Sequence, residues 1–377
     1  MPHVDQGSPT TDVGVFLPIF SGGWIKSTAS PRLPGSYPDN LAITLAAEAM
    51  GFDFAMSAAV WRGYGGESEA AKYALESMMC MAGLAQATSR IKLWATAHMM
   101  IWPPVVVSKM IATLDQIARG RIGLNVVTGS KPNLMKQMGL WQDLGHDERY
   151  DLADEWVGLV RRLWTEDSVT YAGKFYTTDD CQMFPKPSVM PPLICAGMSD
   201  RGFRFTAQNC DVAFLSAQDN DKFYGRALRA KEIATELGNP GLRTFGLFPL
   251  VIGKTDEAAR DRLASYNAAV DRQAVLNMMD EYNEDKDVRR NEGAQVFIQQ
   301  AQQLSAVMPN TMAGSAETLA WRVAETVRRA RLDGVMVILA DYDEDLRTFG
   351  HEILPMMAAH GVTTRAGGVA AGRRCRF

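Results

Sequence analysis

The sequence has few of the residues that build metal sites or disulfide frameworks. Its 377 residues include five cysteines and five histidines, with no CxxC pair and no HExxH motif. This scarcity excludes a disulfide-stabilised scaffold and a zinc cage, and we expect no metal centre. The net charge is only −4, and such mild acidity provides no basic surface for DNA or RNA.

Long hydrophobic runs, targeting signals and nucleotide motifs are also missing. A long apolar run without Asp, Glu, Lys or Arg, residues 93–107, includes Pro103 and Pro104 and is too short and too broken for a membrane span. Residues 1–12 have no basic start and no apolar segment, so we expect a frayed N-terminus, no signal peptide and a cytoplasmic protein. No GxGxxG follows a strand, and no GxxxxGK[ST] or GxSxG occurs, which argues against nicotinamide binding in the Rossmann manner.

Strand-like apolar segments alternate with helical patterns along the chain. The eight strand candidates are residues 13–19, 52–56, 91–97, 122–127, 192–196, 211–215, 244–252 and 334–339. The helical candidates are residues 40–50 (capped by Asp39 or Asn40), 70–88, 105–118, 148–164, 199–208, 221–237, a helix from Thr255, and 343–360. Repeated βα units of this kind predict an α/β fold, and eight units indicate a (β/α)8 TIM barrel more than an open sheet.

We predict one barrel domain over residues 13–360, with two insertions and a flexible tail at 361–377. The first insertion, 168–187, has the pattern of a β-hairpin. The second, 266–311, contains eight charged residues within 281–292. Such a charge run is typical of a solvated loop or helix face, and it is also compatible with a mobile lid over the barrel mouth.

Polar residues at the carboxyl ends of the strands are candidates for chemistry, because barrel active sites form there. Thr96 and Asn125 end neighbouring strands and could hold a small polar ligand, or could bond to loop backbone. His98 is a possible acid–base group, but its apolar surroundings favour a packed histidine.

A second candidate is the segment AGMSD, residues 196–200. A strand ends in Gly197 and Ser199 opens a helix, which creates an anion site, although the same pattern describes a plain N-cap serine. Arg149 and Tyr150 begin another helix and could supply a charge and a hydroxyl to the same anion.

Several segments together resemble the bacterial-luciferase-like flavin monooxygenases, from about Val13 to Met357. They are VGVFLPIFSGGW, GFDFAMS with RGYGG, LAQATSRIKLWATA, PPVVVSKMIATLDQIARGRIGLNVVTG, HDERYDLADEWV and ICAGMSD. Within that family the chain is most similar to the pyrimidine monooxygenases of the Rut pathway, which open the uracil ring.

The resemblance implies a luciferase-like barrel that uses reduced FMN and O2. A separate NAD(P)H:flavin reductase would supply the reduced FMN, since the chain lacks a nicotinamide fingerprint. Matched by position, Thr96 and Asn125 line an oxygen pocket beside the flavin. The residues assigned to the flavin itself are Ala59, Val60, Asn125, Asn133, Arg149, Tyr150 and Ser199, of which the last three would hold its phosphate.

The chain departs from the pyrimidine enzymes around the same pocket. Ser130 stands where they have a Trp-Gln pair, Asn133 stands where they have a glutamate, and residues 58–60 replace a bulkier, partly charged stretch. The pocket wall therefore differs, and the resemblance does not assure uracil as the substrate.

The sequence thus predicts a two-component FMN-dependent monooxygenase that oxidises and opens a small heteroaromatic ring such as uracil or thymine. Three alternatives remain open at this point. They are the same chemistry on a sulfone, sulfonate, pyridine-like or halogenated ring, a deazaflavin-dependent oxidoreductase, and a non-catalytic flavin-binding protein. We expect a homo-oligomer, as is usual for soluble enzymes.

Overall fold

In the computed structural model, which describes residues 10–129 and 131–365, eight parallel strands close into a barrel. The strands along the chain are β1 (Asp12–Leu17), β2 (Phe54–Ser57), β3 (Lys92–His98), β4 (Ile122–Val127), β5 (Val169–Ala172), β6 (Thr177–Cys181), β7 (Leu193–Cys195), β8 (Val212–Leu215), β9 (Arg243–Ile252), β10 (Met312–Gly314) and β11 (Gly334–Leu339). The barrel order is β1-β2-β3-β4-β7-β8-β9-β11, and β11 pairs with β1 to close it. The predicted (β/α)8 barrel is confirmed.

Helices surround the barrel and join successive strands. They are α1 (Tyr37–Ala49), α2 (Ser77–Ala87), α3 (Pro104–Ala118), α4 (Pro132–Lys136), α5 (His146–Thr165), α6 (Asp200–Asn209), α7 (Asn220–Glu236), α8 (Asp256–Ala268), α9 (Arg272–Asn283), α10 (Glu292–Gln302), α11 (Ala316–Arg329), α12 (Glu344–Thr348) and α13 (Leu354–Ala359). Among the described residues, none of these helices combines the length and the apolar character needed to cross a bilayer.

Three aromatic rings fill the amino-terminal half of the barrel interior. Phe54 and Trp94 stack with ring centroids 4.0 Å apart, and Phe245 lies 5.5 and 5.6 Å from them. Each ring occupies space that a glycine on the neighbouring strand leaves open, because Gly14 pairs with Phe54, Gly123 with Trp94 and Gly334 with Phe245. This packing closes one end of the barrel, as a filled core rather than a pore.

Two segments lie outside the regular ring. β5 and β6 form an antiparallel two-stranded sheet, as the hairpin pattern of 168–187 predicts. Between β9 and β11 the chain adds α9, a 3₁₀ turn (Val288–Arg290), α10 and the short strand β10, which pairs with β9.

The structure corrects several predicted helix boundaries. Ser36, and neither Asp39 nor Asn40, caps α1, since the Ser36 hydroxyl accepts the Asp39 N–H. α2 begins at Ser77 rather than at residue 70, because Glu76 provides its cap. The predicted helix 343–360 is divided by a π turn (Phe349–Ile353).

The sequence patterns did not locate α4, α9, α10 or α11. Helices α9, α10 and α11 each begin after a side-chain cap, from Asp271, Asn291 and Ser315 respectively, and those caps were the signal that could have located them. The short helix α4 has no side-chain cap. Residues 1–9 of the predicted frayed N-terminus, residues 366–377 of the predicted tail, and Ser130 lie outside the described residues.

The aromatic packing predicts opposite effects for two glycine-to-alanine substitutions. A Cβ on Gly14 would lie 2.2 Å from the Phe54 ring, whereas a Cβ on Gly158, within α5, would have no neighbour within 4 Å. We expect Gly14→Ala to lower the free energy of unfolding by about 1–3 kcal/mol through overpacking. Gly158→Ala, the control, should raise it by about 0.5–1 kcal/mol through helix propensity. Equilibrium urea unfolding measures both, and equal values would refute the packing argument.

Candidate active site

A cavity of about 260 Å³ opens at the carboxyl end of the barrel, opposite the three aromatic rings. The ends of β2, β3, β4, β7 and β8 and the segment from α9 to α10 contribute to its wall. Among the predicted site residues, the following line it: Ala59, Thr96, Asn125, Arg149, Tyr150 and Ser199. The predicted flavin contacts Val60 and Asn133 are not among its lining residues in the described part of the chain, although Val60 directly follows Ala59.

Thr96 and Asn125 are side by side at the base of this cavity. Their Cα atoms are partners in the β3–β4 ladder, and both residues are buried. The Thr96 hydroxyl donates to the Ser57 carbonyl oxygen, so it accepts from the Asn125 amide nitrogen, 3.1 Å away.

This chain of hydrogen bonds sets the orientation of the Asn125 amide. Nδ2 is the atom that faces Thr96, because it donates to the threonine hydroxyl. Oδ1, which is the acceptor of the amide, therefore faces away from Thr96. Asn125 Oδ1 is buried and has no hydrogen-bond partner among the described residues. A buried acceptor of this kind indicates a missing donor, which a bound ligand can supply.

His98 also lines the cavity but is held as a neutral side chain. Burial lowers the pKa of His98 to about 4. Its Nε2 lies 3.3 Å from the Ala59 carbonyl oxygen, which fits an N–H donor, and Nδ1 has no partner in the described residues. The arrangement agrees with the packed histidine that the sequence favoured.

The start of α6 forms the polar end of the cavity. Ser199 caps the helix, and its hydroxyl accepts the Gly202 N–H at 3.1 Å. His146 Nε2 lies 3.2 Å from the same hydroxyl, and His146 Nδ1 lies 2.8 Å from the Asp147 carboxylate. His146 was missed by the sequence analysis, although it opens the HDERY segment.

Tyr150 completes this group. Burial raises the pKa of its hydroxyl, which also interacts with Ser199 and Thr128. A Cβ on Gly197 or Gly202 would lie 2.5 or 2.6 Å from the Tyr150 oxygen, so both positions require glycine for this close approach. A serine and a tyrosine hydroxyl at a helix N-terminus provide donors suited to an anion.

Arg149 is engaged differently from its predicted role at a phosphate. Its guanidinium forms a two-pronged ion pair with the Asp285 carboxylate, at 3.1 and 2.7 Å, and both side chains are almost fully buried. Asp287 accepts the His146 N–H at 2.7 Å, and Arg290 pairs with Asp147. These contacts hold the charged segment 281–292 against the start of α5. That the segment moves as a lid over the cavity stays a prediction.

Comparison with known proteins agrees with this fold. A profile of the luciferase-like monooxygenase family matches residues 11–334. The pyrimidine monooxygenase RutA of Escherichia coli O6:K15:H31 (strain 536 / UPEC) is 38% identical over 351 residues, covering 92% of this chain and 96% of that protein. RutA of Escherichia coli O150:H5 (strain SE15) is also 38% identical and covers 92% and 91%.

Two solved structures have the same fold at low identity. A riboflavin lyase crystallised with modified FMN and riboflavin superposes with a TM-score of 0.82 at 19% identity, over 94% of this chain and 93% of its own. A long-chain alkane monooxygenase superposes with a TM-score of 0.79 at 19% identity, over 95% of this chain and 93% of its own.

No group of three or more metal-binding side chains occurs within residues 10–129 and 131–365.

The buried ion pair predicts a large effect of a small substitution. Asp285→Asn leaves the Arg149 guanidinium buried without a carboxylate, and we expect the free energy of unfolding to fall by about 3–5 kcal/mol. Asp143→Asn is the control, because Asp143 and Lys286 join the same two segments through an exposed ion pair. Its effect should stay below about 1 kcal/mol. Similar losses for both variants in urea unfolding would refute a structural role for the Asp285 pair.

Proposed function

The chain belongs to the luciferase-like monooxygenase family, and we propose that it uses reduced FMN and O2 to oxidise and open a small heteroaromatic ring such as uracil or thymine. It is a flavin-dependent monooxygenase. The identity with pyrimidine monooxygenases over nearly the whole chain supports the substrate class. The observation that carries the proposal is one cavity that combines an anion-binding helix start with the unpartnered oxygen of Asn125.

The residues present fit a flavin mononucleotide. Ser199, the cap of α6, and Tyr150, whose hydroxyl reaches the start of α6 from α5, would hold the phosphate, and the helix dipole would add to their attraction. His146 lies against Ser199 and would contribute a ring N–H. Arg149 would act mainly through Asp285, since both terminal nitrogens of its guanidinium already pair with that carboxylate.

The rest of the cavity suits a flat ring system. Phe16, Met56, Leu247 and Met308 line it with apolar surface, which excludes water from the reacting groups. A reduced flavin supplies the electrons that activate O2 when it is bound.

The Thr96–Asn125 pair would position both O2 and an N–H group. Asn125 Nδ2 donates one hydrogen to Thr96, and its second hydrogen would donate to O2. Asn125 Oδ1 would accept from an N–H of the reduced flavin or of the substrate, because it is an unpaired acceptor in the cavity. Thr96 would act through Asn125, since its own proton is donated to Ser57.

A separate NAD(P)H:flavin reductase would supply the reduced FMN. The support for this partner is the lack of a dinucleotide fingerprint in the sequence. We also propose that the enzyme works as a homo-oligomer, on the general frequency of such assemblies.

Isotopic labelling tests the proposed reaction. Purified protein is mixed anaerobically with reduced FMN and uracil, ¹⁸O-labelled O2 is admitted, and the products are followed by mass spectrometry. We expect loss of uracil and a ring-opened product carrying one ¹⁸O atom. Reduced FMN with O2 but without protein is the control for free peroxide chemistry.

The same experiment separates the substrates that the family could accept. Unchanged uracil and thymine, with FMN binding confirmed by quenching of flavin fluorescence, would refute the pyrimidine substrate. Labelled oxygen in a sulfone, sulfonate or pyridine-like compound would then identify the substrate class.

The hydrogen-bond chain beneath Asn125 predicts a second effect. Thr96→Val keeps the side-chain shape but removes the hydroxyl that anchors the Asn125 amide, and we expect kcat to fall roughly 10- to 100-fold. FMN affinity should fall much less than kcat, because Ser199 and Tyr150, which would hold the phosphate, form no hydrogen bond with Thr96. Thr113→Val is the control, since Thr113 is an exposed threonine of α3. Equal turnover in both variants would refute the role of Thr96.

A further inference from the structure

Lys131 lies in the cavity wall but belongs to neither the Thr96–Asn125 pair nor the phosphate end. Its Nζ donates to the Tyr64 hydroxyl at 2.6 Å and lies 5.2 and 5.1 Å from the ring centroids of Tyr64 and Tyr282. Lys131 and Tyr282 both line the cavity. The first residue follows β4, and the second is part of α9.

The ammonium has hydrogen-bonding capacity to spare. No ion pair links Lys131 to a carboxylate within 4.0 Å in the described part of the chain. An ammonium has three N–H groups, and the two tyrosine hydroxyls account for at most two of them. At least one N–H is therefore left for an acceptor inside the cavity.

The surroundings of Lys131 carry excess positive charge. Lys26 lies 5.3 Å from the centroid of the same Tyr64 ring, and burial together with Lys131 lowers the pKa of Lys26 to about 8. The nearby Glu281 carboxylate forms an ion pair with Arg62, at 3.1 Å, although neither of its oxygens has a hydrogen-bond partner among the described residues. An oxygen with partial negative charge is the group that this environment favours.

Lys131 stays protonated despite its burial. Burial lowers the pKa of its ammonium, but the oxygens of Tyr282 and Tyr64 and the charge on Glu281 raise it by more, so the net pKa lies above the ordinary value. A buried charge without a paired carboxylate is costly. A ligand oxygen would reduce that cost.

An aromatic surface adjoins the ammonium. The Tyr282 and Phe297 rings are stacked, with centroids 5.3 Å apart and planes 5° apart, and both line the cavity. Such a surface suits a flat ring. The cavity therefore offers a flat aromatic wall, a donor at Lys131 and an unpartnered acceptor at Asn125 Oδ1, which complement a ring that carries both C=O and N–H.

We propose that Lys131 determines substrate specificity, and that its ammonium donates a hydrogen bond to a carbonyl oxygen of a small lactam ring. This inference rests on the proposed function, because it names the group by which that same site selects its substrate. The Lys131 ammonium would favour lactams over rings that lack a carbonyl, such as pyridine and pyrimidine.

Equilibrium dialysis of the FMN-loaded protein tests the proposal without relying on turnover. The probes are uracil and 2-pyridone as lactams, pyrimidine and pyridine as rings without a carbonyl, and nicotinate as a carboxylate. Lys131→Met removes the charge and keeps an unbranched side chain. Lys136→Met is the matched control, because Lys136 is an exposed lysine in α4 that pairs with Glu284.

We expect Lys131→Met to weaken binding of the two lactams roughly 10- to 100-fold, the range for a hydrogen bond to a charged group. Binding of pyrimidine, pyridine and FMN should be unchanged, and Lys136→Met should match the wild type for every probe. A purely structural lysine would instead lower thermal stability and leave the lactam-to-pyrimidine preference unchanged, which would overturn the proposal.

The remaining outcomes separate this inference from the proposed reaction. If lactams bind and depend on Lys131 but no ring incorporates oxygen, the proposed reaction fails and the role of Lys131 stands. If the wild type binds nicotinate and no lactam, or binds FMN and none of the rings, the role of Lys131 is overturned.

Discussion

The packing of three aromatic rings against three glycines is the constraint on which the rest of the structure depends. Trp94 and Gly123 are paired across β3 and β4, and Thr96 and Asn125 are paired two residues further along the same strands. Side chains two residues apart in a strand point to the same face. The register that places the Trp94 ring over Gly123 therefore also brings Thr96 and Asn125 into contact, one layer higher, where the barrel is no longer filled.

The fold and part of the site could be predicted because they follow from local patterns. Apolar strand segments alternating with helices located all eight barrel strands, and a serine after a strand-end glycine located the start of α6. Helix α11 was missed although the sequence carries both its Ser315 cap and an amphipathic pattern, with Leu319, Val323 and Val327 buried on one face. Arg149 shows what local patterns cannot supply, since its partner Asp285 is 136 residues away in the sequence.

The segment between β9 and β10 serves the site in two ways. Its acidic residues, Asp285 and Asp287, contact the side chain of Arg149 and the backbone of His146 and hold the segment onto α5. Its aromatic residues, Tyr282 and Phe297, face the cavity beside Lys131. The charge run, which the sequence predicted as a solvated loop or helix face, thus also attaches the segment to the barrel, because the buried Asp285 carboxylate pairs with the buried Arg149 guanidinium.

This arrangement has a consequence for how the enzyme could diversify. The groups suited to the flavin lie on β3, β4, α5 and α6, which belong to the barrel itself. The aromatic wall lies on one contiguous stretch of chain, which is inserted between β9 and β10. Exchange of that stretch between relatives would change which substrate ring the cavity binds. The residues suited to the flavin would stay the same. The exchanged stretch would contact the barrel through the ion pair between Arg149 and Asp285. Whether such a chimera folds would therefore depend on a carboxylate opposite Arg149 more than on overall similarity of the exchanged sequence.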